Sequence, residues 1–270
     1  MGDENHPLKP SEHVHMNKQP QILITNDDGI YAHGIYALWE AMKTVGKVTV
    51  VAPDTEKSAV GHAITISNPI RLQPVQRRDG FHGFAVDGTP ADCVKIAVHA
   101  LLKSPPDLVV SGINLGANVG TNVIYSGTVS AATEGTLLGI PSMAISLDSM
   151  KDGEYTTAKK VAVNVAKKIL QNGLPPGTLL NVNVPNRLLS ALRGYQVTEQ
   201  GNVYFKDRFD KREDPRGRIY YWMTGELVDP ENHLQRDSHA LSQGFISVTP
   251  IHYQLTNRSF LTTLKTWDWA

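Results

Sequence analysis

The sequence predicts an α/β fold built around a parallel sheet. Short apolar runs at residues 22–24 and 48–52 are typical of buried strands. Between them, Ile35, Leu38 and Met42 recur at helical spacing, which predicts an amphipathic helix. A strand, a helix and a second strand within about 30 residues form a βαβ unit, and the two strands of such a unit are parallel.

The same alternation continues along the chain. Thr89 is predicted to be the N-cap of a helix, with Pro90 at its first position and Asp92 placed to complete a capping box. Apolar runs and helical spacing then predict a strand at 108–110, a helix at 129–138, a strand at 143–147, a helix at 157–170, and strands at 178–184 and 245–250. Most of this order is again strand, helix, strand, as a mostly parallel sheet requires.

The composition excludes several classes of protein. The 270 residues contain 26 Lys and Arg against 26 Asp and Glu, so the chain lacks the basic excess of a nucleic-acid binder, and we expect no stable nucleic-acid partner. A single cysteine, Cys93, excludes an internal disulfide framework and a thiolate zinc cluster. The uncharged stretch 108–133 is long enough to cross a bilayer, but its asparagines and glycines argue against a membrane helix.

The start of the chain predicts a cytoplasmic protein with no membrane association. Residues 1–20 have no apolar signal-peptide core and are predicted to form a disordered tail. Translation can start at Met1 or at Met16, which just precedes the ordered pattern. The low cysteine content fits a reducing compartment.

The chain divides near residue 185. Residues 21–185 are predicted to form the α/β core, and residues 186–270 a β-rich region that packs on it. In that second region, residues 206–218 are dense in charges of both signs, and the aromatic run Tyr220, Tyr221 and Trp222 follows. This pattern predicts β-hairpins in an excursion from the core. Subunit contact and a long surface hairpin fit it about equally well.

Two adjacent acids directly follow the first predicted strand. Ligands of an open parallel sheet bind beyond the carboxyl ends of its strands, and Asp27 and Asp28 fall there. Neighbouring carboxylates repel each other, and their desolvation is costly unless a cation lies beside them. A surface Asp-Asp-Gly turn is the alternative, and it is weakened by the fully apolar strand that precedes the turn.

Two further segments should reach the same edge of the sheet. Residues 111–120 are read as a glycine-rich loop whose asparagines offer neutral oxygen ligands, or as a purely structural loop. Residues 125–129 lead into a helix whose N-terminus can bind a phosphate group, or is simply capped by a hydroxyl. Two carboxylates with neutral oxygens suit a hard divalent cation such as Mg²⁺ or Mn²⁺ better than zinc. The combination indicates phosphomonoester hydrolysis.

At these residues the sequence resembles the SurE family, the survival-protein phosphatases that act on nucleoside 5′- and 3′-monophosphates. The resemblance extends from Gln21 to about Thr256. It rests on ordered blocks that include ITNDDG at 24–29, VDGTPAD at 86–92, SGIN at 111–114, YSGTV at 125–129, DPRGR at 214–218 and SVTP at 247–250.

The resemblance implies a Rossmann-like three-layer core with a mostly parallel sheet, and a protruding C-terminal region used in homodimers or homotetramers. It implies one divalent cation per subunit, held by the set Asp27, Asp28, Ser58 and Asn114. It places phosphate contacts on the set Asn118, Ser126, Gly127 and Thr128. Asp27, Asp28 and Asn114 are then the predicted catalytic residues. Some members of the family also cleave short polyphosphate.

The hypothesis for the reaction is direct attack by a water that the metal orients and acidifies, with the helix start at Thr128 stabilising the phosphoryl charge. An aspartyl phosphoenzyme formed on Asp27 is the mechanistic alternative. A nucleotide-binding sensor or assembly protein that uses the same pocket without turnover is the alternative function.

Overall fold

The structure is a computed structural model that describes residues 19–77, 79–230 and 233–269. Its strands are β1 (Gln21–Thr25), β2 (Lys47–Pro53), β3 (Leu72–Gln76), β4 (His82–Val86), β5 (Leu108–Leu115), β6 (Ser142–Asp148), β7 (Thr178–Pro185), β8 (Tyr195–Val197), β9 (Tyr204–Glu213), β10 (Ile219–Val228) and β11 (Ile246–His252). Its helices are α1 (His33–Met42), α2 (Pro90–Ile96), α3 (Asn122–Tyr125), α4 (Gly127–Leu137), α5 (Tyr155–Asn172), α6 (Asp237–Ser242) and α7 (Leu261–Leu264).

Nine strands form one mostly parallel sheet, in the order β3-β4-β2-β1-β5-β6-β7-β11-β8. The six strands from β4 to β7 are mutually parallel, whereas β3 at one side and β11 at the other pair antiparallel to them. The chain moves from β1 outward to β2 and later returns to place β5 on the other side of β1. The strand order therefore reverses between β1 and β5, which is where open α/β sheets bind ligands.

Helices cover both faces of the sheet and make a three-layer core. On one face, α1 and α5 pack residues such as Leu38 and Val165 against Ile24, Val110 and the neighbouring strands. On the other face, α2 and α4 cover Leu23 and Val109. The fully apolar central strands are buried on both sides, so their sequences read as continuous apolar runs. The predicted α/β class with a parallel sheet is confirmed.

Most predicted elements are present, with one correction in the strand that leads to the site. Thr89 caps α2, and both hydrogen bonds of the predicted capping box with Asp92 are formed. The prediction of a loop at residues 111–120 is wrong for residues 111–115, because β5 continues to Leu115. Its pairing with β1 ends at Ser111, whereas its pairing with β6 continues to Leu115, with a shift of register between Gly112 and Asn114.

The region after residue 185 contributes to the sheet and also leaves it. β11 pairs antiparallel with β7 and in parallel with β8, so two strands of this region extend the core sheet. β9 and β10 form a separate two-stranded hairpin.

Within the described part of the chain, no helix combines the length and apolar character that crossing a bilayer requires. The predicted N-terminal tail lies almost entirely outside the described residues.

Candidate active site

The candidate site lies where β1 and β5 end side by side. Thr25 of β1 is in register with Ser111 of β5, so the residues that follow Thr25 stand beside the end of β5. Asp27 and Asp28 follow β1 directly, and Asn114 is the penultimate residue of β5. The structure therefore brings these three predicted residues to the same edge, at the point where the strand order reverses.

Asp27 lies on the α4 side of this edge. Its side chain is buried, and the Thr128 hydroxyl donates a hydrogen bond to Asp27 Oδ1. The backbone amide of Thr128, in the first turn of α4, also interacts with the carboxylate. Burial nevertheless raises the pKa of Asp27, because the hydrogen bonds only partly offset the lost hydration.

Asp28 lies on the opposite side, toward α1 and α5. Burial, followed by the charge of Asp27, raises the pKa of Asp28 to about 7. The backbone amide of Leu115 interacts with the Asp28 carboxylate and acts in the opposite direction. Tyr155, the first residue of α5, is close enough for the charge of Asp28 to raise the pKa of its phenol, after the larger effect of burial.

The oxygen atoms at this edge of the sheet fit a hard divalent cation. Within residues 19–77, 79–230 and 233–269, no Lys or Arg forms an ion pair with Asp27 or Asp28. The same residues contain no cluster of three or more His, Cys, Asp or Glu side chains that could hold a metal. A cation here therefore needs neutral oxygens besides the two carboxylates, as Mg²⁺ and Mn²⁺ accept.

Neutral oxygens are available at the two strand ends. The Asn114 side-chain amide donates to Gly116 O at 2.8 Å, which leaves its oxygen as the atom for a ligand. Asn26 Oδ1 and Ser111 Oγ are buried at the same ends, and neither has a hydrogen-bond partner among the described residues. Buried polar atoms are ordinarily paired, so this edge has unused capacity for a bound cation or water.

Ser58 lies on a loop that crosses the site after β2. The Lys57 amide donates to Asp27 O at 2.7 Å, which holds the loop against the end of β1. Ser58 itself is exposed, and its hydroxyl donates to Glu56 Oε1 at 2.6 Å. The charge of Glu56 acts on both aspartates. Glu56 was not among the predicted site residues, although it lies only two residues before Ser58.

The loop is also anchored further along by a buried carboxylate. Glu134 of α4 accepts hydrogen bonds from His62 Nε2 and from Lys95 Nζ of α2, each at 2.8 Å. Burial alone would raise the pKa of Glu134, but these two partners together outweigh burial and lower it. His62 therefore fastens the loop to α4.

The residues predicted to contact phosphate have structural partners of their own. Ser126 caps α4, its hydroxyl accepting from the Val129 amide at 3.1 Å, and Thr128 donates to Asp27. The backbone amide of Asn118 donates to Asn183 Oδ1 at 2.8 Å, and its side-chain amide donates to Ser146 Oγ at 2.9 Å. Ser126, Gly127 and Thr128 thus lie next to Asp27, whereas Asn118 joins a buried polar network on β6 and β7.

Gly127 is required by its close approach to Asp27. A Cβ at Gly127 would lie 2.7 Å from Asp27 Cβ and 2.9 Å from Asp27 Oδ2. We expect Gly127→Ala to displace Asp27 and to lower kcat/KM of a reaction that uses this carboxylate by about 100-fold, as small misplacements of reacting groups do. Steady-state kinetics on the folded variant, checked by thermal melting, measures this effect.

The control is Thr133→Ala, which changes the same helix at a hydroxyl that donates to Val129 O in the preceding turn. This control should keep near-normal kinetics. Wild-type kcat/KM in Gly127→Ala would show that the close packing of α4 on Asp27 does not matter for catalysis.

Fold and site together define a doubly wound α/β protein that carries an acidic pair at its switch point, beside a helix N-terminus. Residues 22–207 match the family model described as "Survival protein SurE", and the chain belongs to this family.

Its similarity to known members of the family is high and covers nearly the whole chain. It is 52% identical over 248 residues to the 5′-nucleotidase SurE of Syntrophobacter fumaroxidans, covering 92% of this chain and 99% of that protein. It is 50% identical over 252 residues to the protein of the same name from Carboxydothermus hydrogenoformans, covering 92% and 96%. The crystal structure of the SurE protein from Aquifex aeolicus superimposes with a TM-score of 0.79 at 42% identity, covering 91% of this chain and 98% of that one.

Proposed function

We propose that the protein is a metal-dependent phosphomonoesterase that hydrolyses nucleoside 5′- and 3′-monophosphates to nucleoside and phosphate. The observation that carries the proposal is the pair Asp27 and Asp28, desolvated side by side at the switch point without a cationic partner among the described residues. Relatives about half identical in sequence bear the name 5′-nucleotidase, which supports the 5′ activity in particular. The 3′ activity and any action on short polyphosphate follow from the family resemblance alone.

We propose that one Mg²⁺ or Mn²⁺ per subunit is held by Asp27, Asp28, Asn114 and Ser58. When bound, the cation supplies Lewis-acid polarisation of the phosphoryl oxygens and lowers the pKa of a coordinated water. Asn114 contributes a side-chain oxygen from the end of β5. Ser58 can offer its hydroxyl oxygen as a ligand while its proton is donated to Glu56, because the oxygen keeps two lone pairs.

The chain itself supplies orientation and charge stabilisation. The first turn of α4 carries backbone amides that favour negative charge, and Asp27 occupies part of this site through Thr128. Asp27 uses only some of the backbone amides at the start of α4. We propose that the amides left over, around Ser126 and Gly127, donate hydrogen bonds to equatorial phosphoryl oxygens. Thr128 then acts mainly on Asp27, and its contact with phosphate is secondary.

A direct assay separates this enzyme from a nucleotide-binding sensor that uses the same pocket. Phosphate release from AMP is expected with added Mn²⁺ and is expected to stop with EDTA. Binding of AMP without any release of phosphate would instead support the sensor. A panel of 5′- and 3′-monophosphates and short polyphosphate, run under the same conditions, tests the finer assignments.

We also propose that the hairpin β9–β10 mediates assembly into a dimer or a tetramer. Its two strands pair only with each other, and two-stranded ribbons are marginally stable alone in water. Phe209, Tyr221, Trp222 and Met223 each expose more than half of their surface. Large apolar side chains exposed on both faces of a hairpin are typical of an interface.

Light scattering of the full chain is expected to give a mass of at least two subunits. Trp222→Lys should shift this mass toward that of the monomer. The matched control Trp269→Lys changes an exposed tryptophan outside the hairpin and should leave the mass unchanged. A monomeric wild-type chain would contradict the assembly. The cytoplasmic location stays a prediction from the sequence.

A further inference from the structure

Asp237 is a fully buried carboxylate that joins two separate loops. It is the first residue of α6, and none of its surface is exposed. Its Oδ2 accepts a hydrogen bond from the Gly120 amide at 3.0 Å, and its Oδ1 accepts from the amides of Gly201 and Ser238 at 2.9 and 2.8 Å. One side chain thus connects the loop after β5 to the loop before β9.

The contacts of Asp237 require a carboxylate. All three of its partners are N–H donors, and the described ranges place no Lys or Arg in an ion pair with it. Burial raises the pKa of this carboxyl, and the three amides act in the opposite direction. An asparagine is cheaper to bury, but its amino group would face one of the N–H groups, because it has only one acceptor oxygen.

The loop at Gly120 makes further contacts with the segment that leads into β9. The Gln200 side-chain amide donates to Gly120 O at 2.8 Å. The backbone amide and the hydroxyl of Thr121 both donate to Val203 O, at 2.9 and 2.8 Å. A Cβ at Gly120 would lie only 2.7 Å from Val203 O, so the two backbones are in close contact. The C-terminal region therefore holds this loop at several points.

The clamp, which comprises Asp237 and residues 200–203, acts on the segment that joins the end of β5 to the start of α4. In this segment, Asn118 is held from the other side by two asparagine side chains of β7. At the far end of the segment, Ser126 caps α4, whose first residue packs against Asp27. A shift of the segment therefore moves the groups that are proposed to contact phosphate.

We propose that Asp237 is a positioning residue of the active site, which sets the place of Asn118 and of the start of α4 by fixing the Gly120 amide. This assignment rests on the proposed function. Because Asp237 is fully buried, it acts through the loop and not by contact with the substrate. It affects the binding of phosphate and leaves the proposed cation ligands at the ends of β1 and β5 in place.

Asp237→Asn tests the assignment, because it keeps the shape of the side chain but replaces an acceptor oxygen by a donor. Gln200→Ala is a milder second variant, which removes an exposed side chain and its bond to Gly120 O. Ile169→Ala is the control for lost stability, since Ile169 is a buried core residue in the last turns of α5. Each protein is assayed with AMP and Mn²⁺. Thermal shift measures the binding of Mn²⁺, and of inorganic phosphate to the Mn²⁺-loaded protein.

For Asp237→Asn we expect kcat/KM with AMP to fall about 10- to 100-fold, chiefly through KM, as small misplacements of binding groups do. Gln200→Ala should show the same change at about threefold, the effect of one hydrogen bond. In both variants the stabilisation by phosphate should be weaker than in the wild type, and the stabilisation by Mn²⁺ should be unchanged. Ile169→Ala should melt at a lower temperature and keep the wild-type KM.

A wild-type KM in Asp237→Asn, an equal rise of KM in Ile169→Ala, or a loss of Mn²⁺ stabilisation in Asp237→Asn would overturn the assignment. If Asp237→Asn does not fold, Gln200→Ala decides by the same criteria. If the wild type does not hydrolyse AMP, the proposed function fails, and the phosphate measurement alone decides on the clamp. Phosphate stabilisation that is weakened only in Asp237→Asn and Gln200→Ala then supports it, and any other pattern contradicts it.

Discussion

Asp27→Asn is expected to lower kcat/KM for AMP by about 10³-fold or more while the protein stays folded. The substitution removes a ligand charge but preserves the shape of the side chain. The asparagine oxygen can still accept the hydrogen bond from Thr128 that Asp27 Oδ1 now receives. Because the residue lies at the end of β1 and outside the apolar core, melting temperature should change little compared with activity.

The measurement combines steady-state kinetics with Mn²⁺ titration followed by thermal shift. Loss of both turnover and Mn²⁺-induced stabilisation is the expected pair of results. Asp54→Asn is the control, because Asp54 is an exposed acid just after β2, at the same edge of the sheet. A near-normal rate in Asp27→Asn would refute the assigned role. Lost turnover with intact Mn²⁺ stabilisation would favour Asp27 as a nucleophile, and trapping of a phosphorylated Asp27 during turnover would then decide.

The sequence was sufficient for the parts of the fold that depend on local patterning. The central strands β1, β2 and β6 are mostly apolar, and the start of α2 is marked by its capping residues Thr89 and Asp92. The edge strand β3 was missed because it carries Pro74 and three glutamine or leucine neighbours that form no apolar run. Proline is tolerated there because only one side of β3 is paired, with β4.

The second half of β5 shows where tertiary structure overrides local composition. Gly112 and Asn114 are typical of loops, but β6 pairs with this segment as far as Leu115 and supplies hydrogen-bond partners for its backbone. A central position in the sheet thus extends a strand that its own residues would end. For the site, this places Asn114 on a rigid strand and not on a flexible loop.

The acidic pair was predictable because two adjacent carboxylates after an apolar strand are chemically unusual. The hydrogen bond from Thr128 to Asp27 was not predictable, because the two residues are 101 positions apart in the sequence. Asn181 and Asn183 were missed although they carry a signal, since they alternate with apolar residues in β7. Both side chains donate hydrogen bonds to Asn118 O. Two polar residues on one face of a buried strand indicate that such a buried partner exists.

Asp28→Asn is expected to stabilise the metal-free protein at pH 8 while abolishing activity. In the folded protein, burial and the neighbouring Asp27 raise the pKa of Asp28 to about 7, from 3.8. A raised folded-state pKa means that the folded protein binds the proton more tightly than the unfolded chain. The free energy of unfolding therefore falls as pH rises from about 4 to about 7, and the full penalty remains at pH 8. Asparagine carries no charge and removes that penalty.

Allowing for the partial solvent exposure of Asp28, we expect relief of about 1 to 2 kcal/mol, or about 2 to 6 °C in melting temperature for a chain of this length. The gain should be present at pH 8 in EDTA and should shrink toward pH 5. With Mn²⁺ the order should reverse, because the cation stabilises only a chain that can bind it. Asp54→Asn should show neither the pH dependence nor the reversal. An Asp28→Asn protein that melts below the wild type at pH 8 in EDTA would mean that the acidic pair is not strained, and the physical case for a cation between β1 and β5 would then lose its basis.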